Sequence, residues 1–220
     1  MKFIIICATG RSGSTTLQRL INTIDKCNIT GEKFGAIENL LECYSNIKKT
    51  NKDIPRDKNH KFTIKELEEK KIKPCWYNCY NFYEVRKNIK KTILSILVNK
   101  DSITDYKILG FKEIRWFGKI NFLDDFVELF PNTKIICHLD DNINRQCNSK
   151  WWSKNSVESK KLLIEYNQML INYSLSKDNC YLSYLKNLFV VSEVKKIFLF
   201  LDEKFDEEKY KLIIKNSLEN

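Results

Sequence analysis

No stretch of this chain approaches the ~18–20 consecutive apolar residues that a membrane-spanning helix needs. The run that opens it, FIIICA, stops at a glycine turn and is too short to act as a signal peptide. A cytoplasmic protein is the expectation from these two absences. Histidine is nearly missing, with His60 and His138 the two copies. The eight cysteines stand apart at 7, 27, 43, 75, 79, 137, 147 and 180. Cys75 and Cys79 are four apart, but no second pair or histidine cluster completes a metal site, so no metal is expected. Thiols so dispersed suit a reducing compartment, and Cys7 and Cys137, inside apolar runs, read as small core residues. Repeats and linkers are absent as well. Glycine is scarce, six in 220 residues, and four of the six are Gly10, Gly13, Gly31 and Gly35. A chain so poor in glycine that concentrates it after its first strand marks a place of close backbone approach to a ligand, or simple turn punctuation.

What is present suits an ordinary globular chain: 43% hydrophobic and 30% charged residues. The net charge of +10 makes an anionic partner plausible. Its lysines and arginines are scattered and interleaved with acids, however, which favours solvated helix faces over a nucleic-acid surface. No nucleic-acid partner is expected.

Residues 2–8 form a continuous apolar strand of the parallel, doubly covered kind. A helix should begin near Ser14, with Leu17, Leu20 and Ile21 inward. Further helices are expected over 35–49, about 83–99, 120–130 (closed by Pro131), about 141–150, 157–174, 192–201 and 206–218. Strands are expected near 106–110, at 133–139 and at 180–185. The stretch 50–61 reads as a polar, proline-interrupted loop. Strands separated by helices give one α/β domain over 1–220, a parallel sheet flanked by helices, with a helical and partly loop-like insertion at about 50–100.

The chemistry lies in TGRSGSTT, residues 9–16. A strand running through a glycine turn into a helix gathers backbone N–H groups on one point, and the helix start adds its own unpaired donors. Arg11, Ser12, Ser14, Thr15 and Thr16 contribute a guanidinium and four hydroxyls. The glycines are three apart and no lysine precedes the hydroxyl pair, so the Walker apparatus for Mg²⁺ and a triphosphate is missing. A small-molecule kinase or nucleotidase is a less favoured alternative, the kinase for that reason.

ATGRSGSTTLQRLIN resembles the 5′-phosphosulfate loop of the sulfotransferases that use 3′-phosphoadenosine 5′-phosphosulfate (PAPS), in the form common to carbohydrate and bacterial members. GEKFGAIENLL, GFKEIRW, LFPNTKIICHL, NSKWW and FLDEKFDEEKYKLII resemble later segments of that family, in order, over roughly residues 3–215 but not 50–100. The resemblance implies a P-loop-like, sulfotransferase-like α/β fold and transfer of a sulfuryl group from PAPS to a hydroxyl acceptor, a carbohydrate or small molecule. The by-product would be 3′-phosphoadenosine 5′-phosphate, and no metal is needed. It implies donor binding by Gly10, Arg11, Ser12, Gly13, Ser14, Thr15 and Thr16. Arg11 would also stabilise charge on the leaving oxygen, and Glu32 would be the general base, its pKa kept up by partial burial in the cleft. Lys112 or Arg115 would add positive charge near the transferring group, or stand as an outward strand-edge cation.

The departure from the family is at IICHLDDNINRQCNSKWW. Where the family carries an arginine for the 3′-phosphate, this chain has Asp140 or Asp141, which would repel that group. Arg145, one turn further on, would have to reach back, with Ser149 or Asn148 adding a hydrogen bond. Without that rescue the protein would bind PAPS poorly, use a donor lacking the 3′-phosphate, or be a catalytically degenerate nucleotide- or anion-binding protein on the same fold. Tyr184 stands where relatives carry a tyrosine near the adenine, and reads equally as a core residue. His138 reads as a satisfied structural histidine, and Trp151 and Trp152 as lid packing or as walls of an acceptor cleft.

Overall fold

The first strand, β1 (Lys2–Ala8), is apolar without alternation because it is the central strand of the sheet and is covered on both faces. The computed structural model describes residues 1–52, 81–98, 100–149, 152 and 156–218. The expectations for His60, Cys75, Cys79, Trp151 and most of the loop and aromatic stretch between 50 and 80 fall outside them. Five parallel strands lie in the order β2-β3-β1-β4-β5, where β2 is Cys27–Thr30, β3 Ile108–Glu113, β4 Thr133–Leu139 and β5 Cys180–Tyr184. Helices α1 (Ser14–Ile21), α2 (Ala36–Lys52), α3 (Phe82–Leu97), α4 (Phe122–Leu129), α5 (Ile143–Cys147), α6 (Ser156–Leu175), α7 (Val191–Phe200) and α8 (Glu207–Leu218) connect and cover them.

The period-2 geometry of the strands divides the interior into two cores. Phe3, Ile5 and Cys7 of β1 join Leu109 and Phe111 of β3 and Ile135 and Cys137 of β4, beneath residues of α2, α3, α4 and α6. Ile4 and Ile6 face the other way, with Ile108 and Ile136, onto α1, α7 and α8. Each side chain so buried contributes roughly 1.5–3 kcal/mol relative to exposure, and the sheet centre holds several of them on each face. Gly110 lies between β1 and β2, and a Cβ there would fall 1.8 Å from the Ile4 carbonyl oxygen.

Differences from the expected elements have local causes. β2 was not anticipated: CNIT offers one fully buried apolar residue, Ile29, and no run for periodicity to catch. Its outer backbone is satisfied by side chains of α1 and the turn after it. Asn22 accepts from Ile29 N–H at 2.7 Å and donates to Ile29 C=O at 2.9 Å, and Gln18 donates to the same carbonyl at 2.8 Å. The third strand extends to Glu113 instead of ending near 110, because Phe111, Lys112 and Glu113 are all buried. Helix α2 continues to Lys52, into the stretch read as loop, and α5 occupies only Ile143–Cys147. His138 is buried as expected, and no helix among the described residues is long and apolar enough to cross a membrane.

One interior group carries a pH dependence. Glu38, in the first turn of α2, is 1% exposed, and neither carboxyl oxygen has a hydrogen-bond partner among the described residues. Burial raises its pKa from the ordinary 4.5 to about 7, with the nearby Glu113 charge adding to the effect. A carboxyl raised in the folded state stabilises fully below its unfolded value, and that contribution is lost as pH rises through the folded value. The Glu38 contribution therefore falls between about pH 4.5 and 7, against an opposite contribution from buried His138, whose lowered pKa favours the folded state as pH rises from about 4 to 6.5. The difference in stability between Glu38→Gln and the wild type isolates that contribution: it should grow in the variant's favour from about pH 4.5 to 7 and reach an order of 1–3 kcal/mol above that, read by thermal melts of both proteins across the pH range.

Candidate functional site

The turn between β1 and α1 is tightly constrained. Arg11 (φ 66°) and Gly13 (φ 81°) both lie in the left-handed region and bracket Ser12, the alternation that turns successive N–H groups to one side. Their carbonyls are turned to the other side and fastened there. Gly10 C=O accepts from Gln146 Nε2 at 3.0 Å and from Trp152 Nε1 at 3.2 Å. Arg11 C=O accepts from the Arg145 guanidinium at 3.1 Å, and Ser12 C=O from His138 Nε2 at 3.1 Å. Gln146 also donates to Thr9 Oγ1 at 3.0 Å. A carbonyl only accepts, so His138 carries its proton on Nε2, and Nδ1, 3.1 Å from Ser183 Oγ, accepts the serine hydroxyl. Burial lowers the His138 pKa to about 4, which keeps the ring neutral in this role.

With its carbonyls engaged behind it, the loop leaves the N–H groups of Arg11, Gly13, Ser14 and Thr15 without a partner among the described residues. They open on a cleft of about 320 Å³ lined by Gly10, Arg11, Gly13, Ser14, Thr15, Glu32, Lys112, Ile114 and Arg145. Unpaired donors at a helix start, with Arg11 and Arg145 at the rim, form a site for a tetrahedral anion. The position is also where the topology would put one: β1 lies between β3 and β4, so the chain leaves the sheet in opposite directions from β1 and β4 and opens a crevice at their carboxyl ends.

Not every residue named from the sequence meets in this cleft. Ser12 is buried beneath the loop, with its Oγ an orphan among the described residues. The Thr16 hydroxyl points at Ser217 Oγ, 3.4 Å away, tying α1 to α8. Ser149 donates to Gln146 C=O at 2.7 Å, closing α5 rather than facing the cleft. Tyr184 is half-buried against the first core, with Lys186 over its ring at 5.8 Å. Glu32, Lys112 and Arg145 do line the cleft, and Arg115 reaches Glu32 from beside it.

The acidic pair behaves differently from the expectation of bare repulsion. Asp140 is buried and accepts from Arg145 Nε at 2.9 Å and again from its terminal nitrogen, while Asn142 N–H donates to its other oxygen at 3.0 Å. Asp140 therefore works as a fork that aims Arg145 at the loop. Asp141 pairs with Lys186, whose hydrogen bond holds its carboxyl below the usual range.

On the opposite wall, the Lys112 side chain is 9% exposed and donates to Glu32 Oε1 at 2.7 Å. Arg115 donates to Glu32 Oε2 at 3.0 Å and to Glu113 Oε1 at 2.8 Å. Burial acts to raise the Glu32 carboxyl, but the hydrogen bonds and charges of Lys112 and Arg115 outweigh it and hold the group below its ordinary value. The shift runs opposite to the one expected from cleft burial alone. Glu113, fully buried, was missed from the sequence. It accepts from the N–H groups of Lys33 (3.1 Å), Gly35 (3.4 Å) and Ile114 (2.8 Å), so it fixes the segment that carries Glu32. Gln146 was missed too, since nothing marks an amide in NRQC as a loop clamp.

No group of three or more metal-ligating side chains occurs among the described residues. Gly13 has two reasons to be glycine: its positive φ, and Leu185 Cδ1, which would lie 2.3 Å from an added Cβ. Gly13→Ala should cost about 1–3 kcal/mol and weaken anion binding at the loop. Adding Leu185→Ala should recover only the steric part, which melts of the single and double variants would separate. Compared with known proteins, the chain matches the model described as the sulfotransferase family over residues 4–176, a span that includes every residue lining the cleft. No curated protein matches it.

Proposed function

Because the chain belongs to the sulfotransferase family, we propose that its cleft holds PAPS and moves the sulfuryl group to a hydroxyl acceptor. The observation that carries this reading is the loop itself, with its carbonyls fastened behind and four N–H groups and two arginines left for an anion. These residues fit a 5′-phosphosulfate: Arg11 and the N–H groups of Gly13, Ser14 and Thr15 would hold its oxygens, directionally and without a metal. Arg145, 50% exposed and aimed by Asp140, is the cation nearest to hand for a 3′-phosphate. The donor, when bound, supplies the sulfuryl group and leaves as 3′-phosphoadenosine 5′-phosphate once its bridging S–O bond has broken.

The remaining work falls to this chain's side chains. Glu32, ionised because of Lys112 and Arg115, accepts a hydrogen bond from the acceptor hydroxyl and takes its proton as the new O–S bond forms. A carboxylate so weakly basic orients the hydroxyl more than it activates it. Lys112 and Arg11 face charge that builds on the transferring and leaving oxygens. A second reading, a nucleotide-binding protein without transfer activity, is favoured by one observation: Asp140 occupies much of the Arg145 fork that a 3′-phosphate would need.

Both readings are separated by ligand melts followed by transfer assays. Without Mg²⁺, 3′-phosphoadenosine 5′-phosphate at a hundredfold over its dissociation constant should stabilise the protein by about 2.7 kcal/mol, a rise of roughly 5–10 °C. Arg11→Ala should abolish that rise. ADP should give a smaller one, and no rise with the 3′-phosphorylated nucleotide overturns the PAPS assignment. Glu32→Gln should lower kcat by about 10²-fold or more while leaving the nucleotide-induced rise in place. Wild-type kcat/KM should show no acidic limb until below the ordinary glutamate range, as the lowered Glu32 pKa dictates. Nucleotide binding without any transfer would favour the second reading.

A further inference from the structure

The cysteines that stand apart in the sequence are gathered by the sheet. Cys7 on β1 and Cys137 on β4 are register partners, and both are fully buried in the first core. Cys180 opens β5 and pairs with Ile135, two residues before Cys137. Thiols from three adjacent strands therefore share one face of the sheet. Cys137 and Cys180, 43 residues apart in the chain, are in contact, their sulfurs separated by 3.5 Å. The hydrogen bond with Cys180, and burial after it, hold the Cys137 thiol well above its ordinary pKa. Cys137 thus keeps its proton and donates it to Cys180 Sγ. Cys180 is partly exposed, so one thiol of the pair is open to solvent while the other is not. The pair also lies beside the fastening of the anion loop. His138 follows Cys137 directly, and its ring bridges Ser183 of β5 and the Ser12 carbonyl, each at 3.1 Å. Arg145, Gln146 and Trp152, which hold the other loop carbonyls, all lie on the chain between the two cysteines.

We propose that Cys137 and Cys180 form an oxidation site that a peroxide closes to a disulfide, and that closing it loosens the anion loop. The bond itself stands on the thiol geometry alone; its effect on a nucleotide rests on the sulfotransferase reading given above. Cys180, as the thiolate, attacks one oxygen of the peroxide. The O–O bond breaks, the other oxygen takes a proton and leaves as water, and Cys180 is left as a sulfenic acid. The Cys137 sulfur then attacks the Cys180 sulfur. An S–S bond forms, the S–O bond breaks, and the departing hydroxide takes the Cys137 proton and leaves as a second water. Two thiols are oxidised and one peroxide is reduced. The sulfurs, 3.5 Å apart when reduced, come to about 2.0 Å in a disulfide. Both side chains stand in a paired sheet and a close-packed core, so part of that closure falls on the strands. Whichever strand yields, one end of the His138–Ser183 bond moves with it, because His138 follows Cys137 on β4 and Ser183 shares β5 with Cys180. The ring then loses its aim at Ser12 C=O, and the loop loses one of its fastenings. Reduction by a small thiol restores both.

The test uses the full chain, wild type and Cys180→Ser, each fully reduced and then treated with hydrogen peroxide. Remaining thiols are alkylated, and the digested protein is mapped by mass without reductant. The peptides that carry Cys137 and Cys180 should be linked in the wild type, separate again after dithiothreitol, and never linked in the variant. Amide hydrogen exchange over residues 9–16 reads the loop with no ligand present. It should speed up in the oxidised wild type and stay unchanged in treated Cys180→Ser. The oxidised wild type should bind 3′-phosphoadenosine 5′-phosphate up to about tenfold more weakly, as the loss of one hydrogen bond implies, and dithiothreitol should restore binding. Reduced Cys180→Ser should bind it as the reduced wild type does. No link, or a link from either cysteine to a different one, overturns the oxidation site. A Cys137–Cys180 link with unchanged exchange over 9–16 overturns the coupling to the loop. Absence of nucleotide binding in both reduced proteins removes the donor reading, and linkage and exchange then still decide this inference by themselves.

Discussion

Everything at this site depends on which way three consecutive carbonyls point. Gly10, Arg11 and Ser12 direct theirs toward β4 and the segment after it, where Gln146, Trp152, Arg145 and His138 donate to them. A peptide unit cannot turn its carbonyl one way without turning its N–H the other, so fastening the Gly10 and Ser12 carbonyls turns the Arg11 and Gly13 N–H groups toward the cleft, while the Ser12 N–H donates to the Thr9 carbonyl and those of Ser14 and Thr15 are left free by the helix start. The arrangement is preorganised in the sense that matters for charge stabilisation: the dipoles are fixed before any ligand arrives. It also explains why a neutral His138 suits the position, since a charged ring would lose the acceptor nitrogen that holds Ser183.

The second constraint is electrostatic and runs through carboxylates. Glu32, Glu113 and Asp140 each lie against a cation that would otherwise face the cleft alone. Buried charges of this kind add little net stability and fix geometry instead. Arg145 is aimed by Asp140, Arg115 is shared between Glu113 and Glu32, and Lys112 is held by Glu32. The cleft thereby keeps its cations in place without presenting their full charge, and Glu32 becomes a weak base with a well-defined position.

The strands of the sheet centre, the glycine turn and the helix after it were legible in the sequence, because a doubly buried parallel strand leaves a continuous apolar run and the loop has a recognisable composition. The resemblance to one family then ordered Glu32, Lys112 and Arg145 around that loop. The edge strand β2 escaped because its single buried residue, Ile29, carries no periodicity. Asp140 was read as an acid standing where a cation is expected; its pairing with Arg145, which depends on the turn at Asn142, could not be read from the sequence. Glu113 was hidden inside GFKEIRW for the same reason: acidic residues look solvated until the backbone that they hold is seen. Ser149, Thr16 and Tyr184 follow the family in position, yet this chain turns them to closing a helix, joining two helices and packing a core.

The pairing of β1 has a kinetic consequence. Its first residues meet Ile108 in β3 and Thr133 in β4, partners synthesised more than a hundred residues later. This strongly apolar strand thus leaves the ribosome before either of its partners and must wait unpaired while more than a hundred residues are made. Closing so long a loop adds only modest entropy beyond a shorter one, but non-local parallel pairing is slow, and an exposed apolar strand is open to association with other chains meanwhile. The turn that follows β1 takes its fixed form only after that wait, because its carbonyls are held by His138, Arg145, Gln146 and Trp152, so the first part of the cleft to be translated is among the last to be completed.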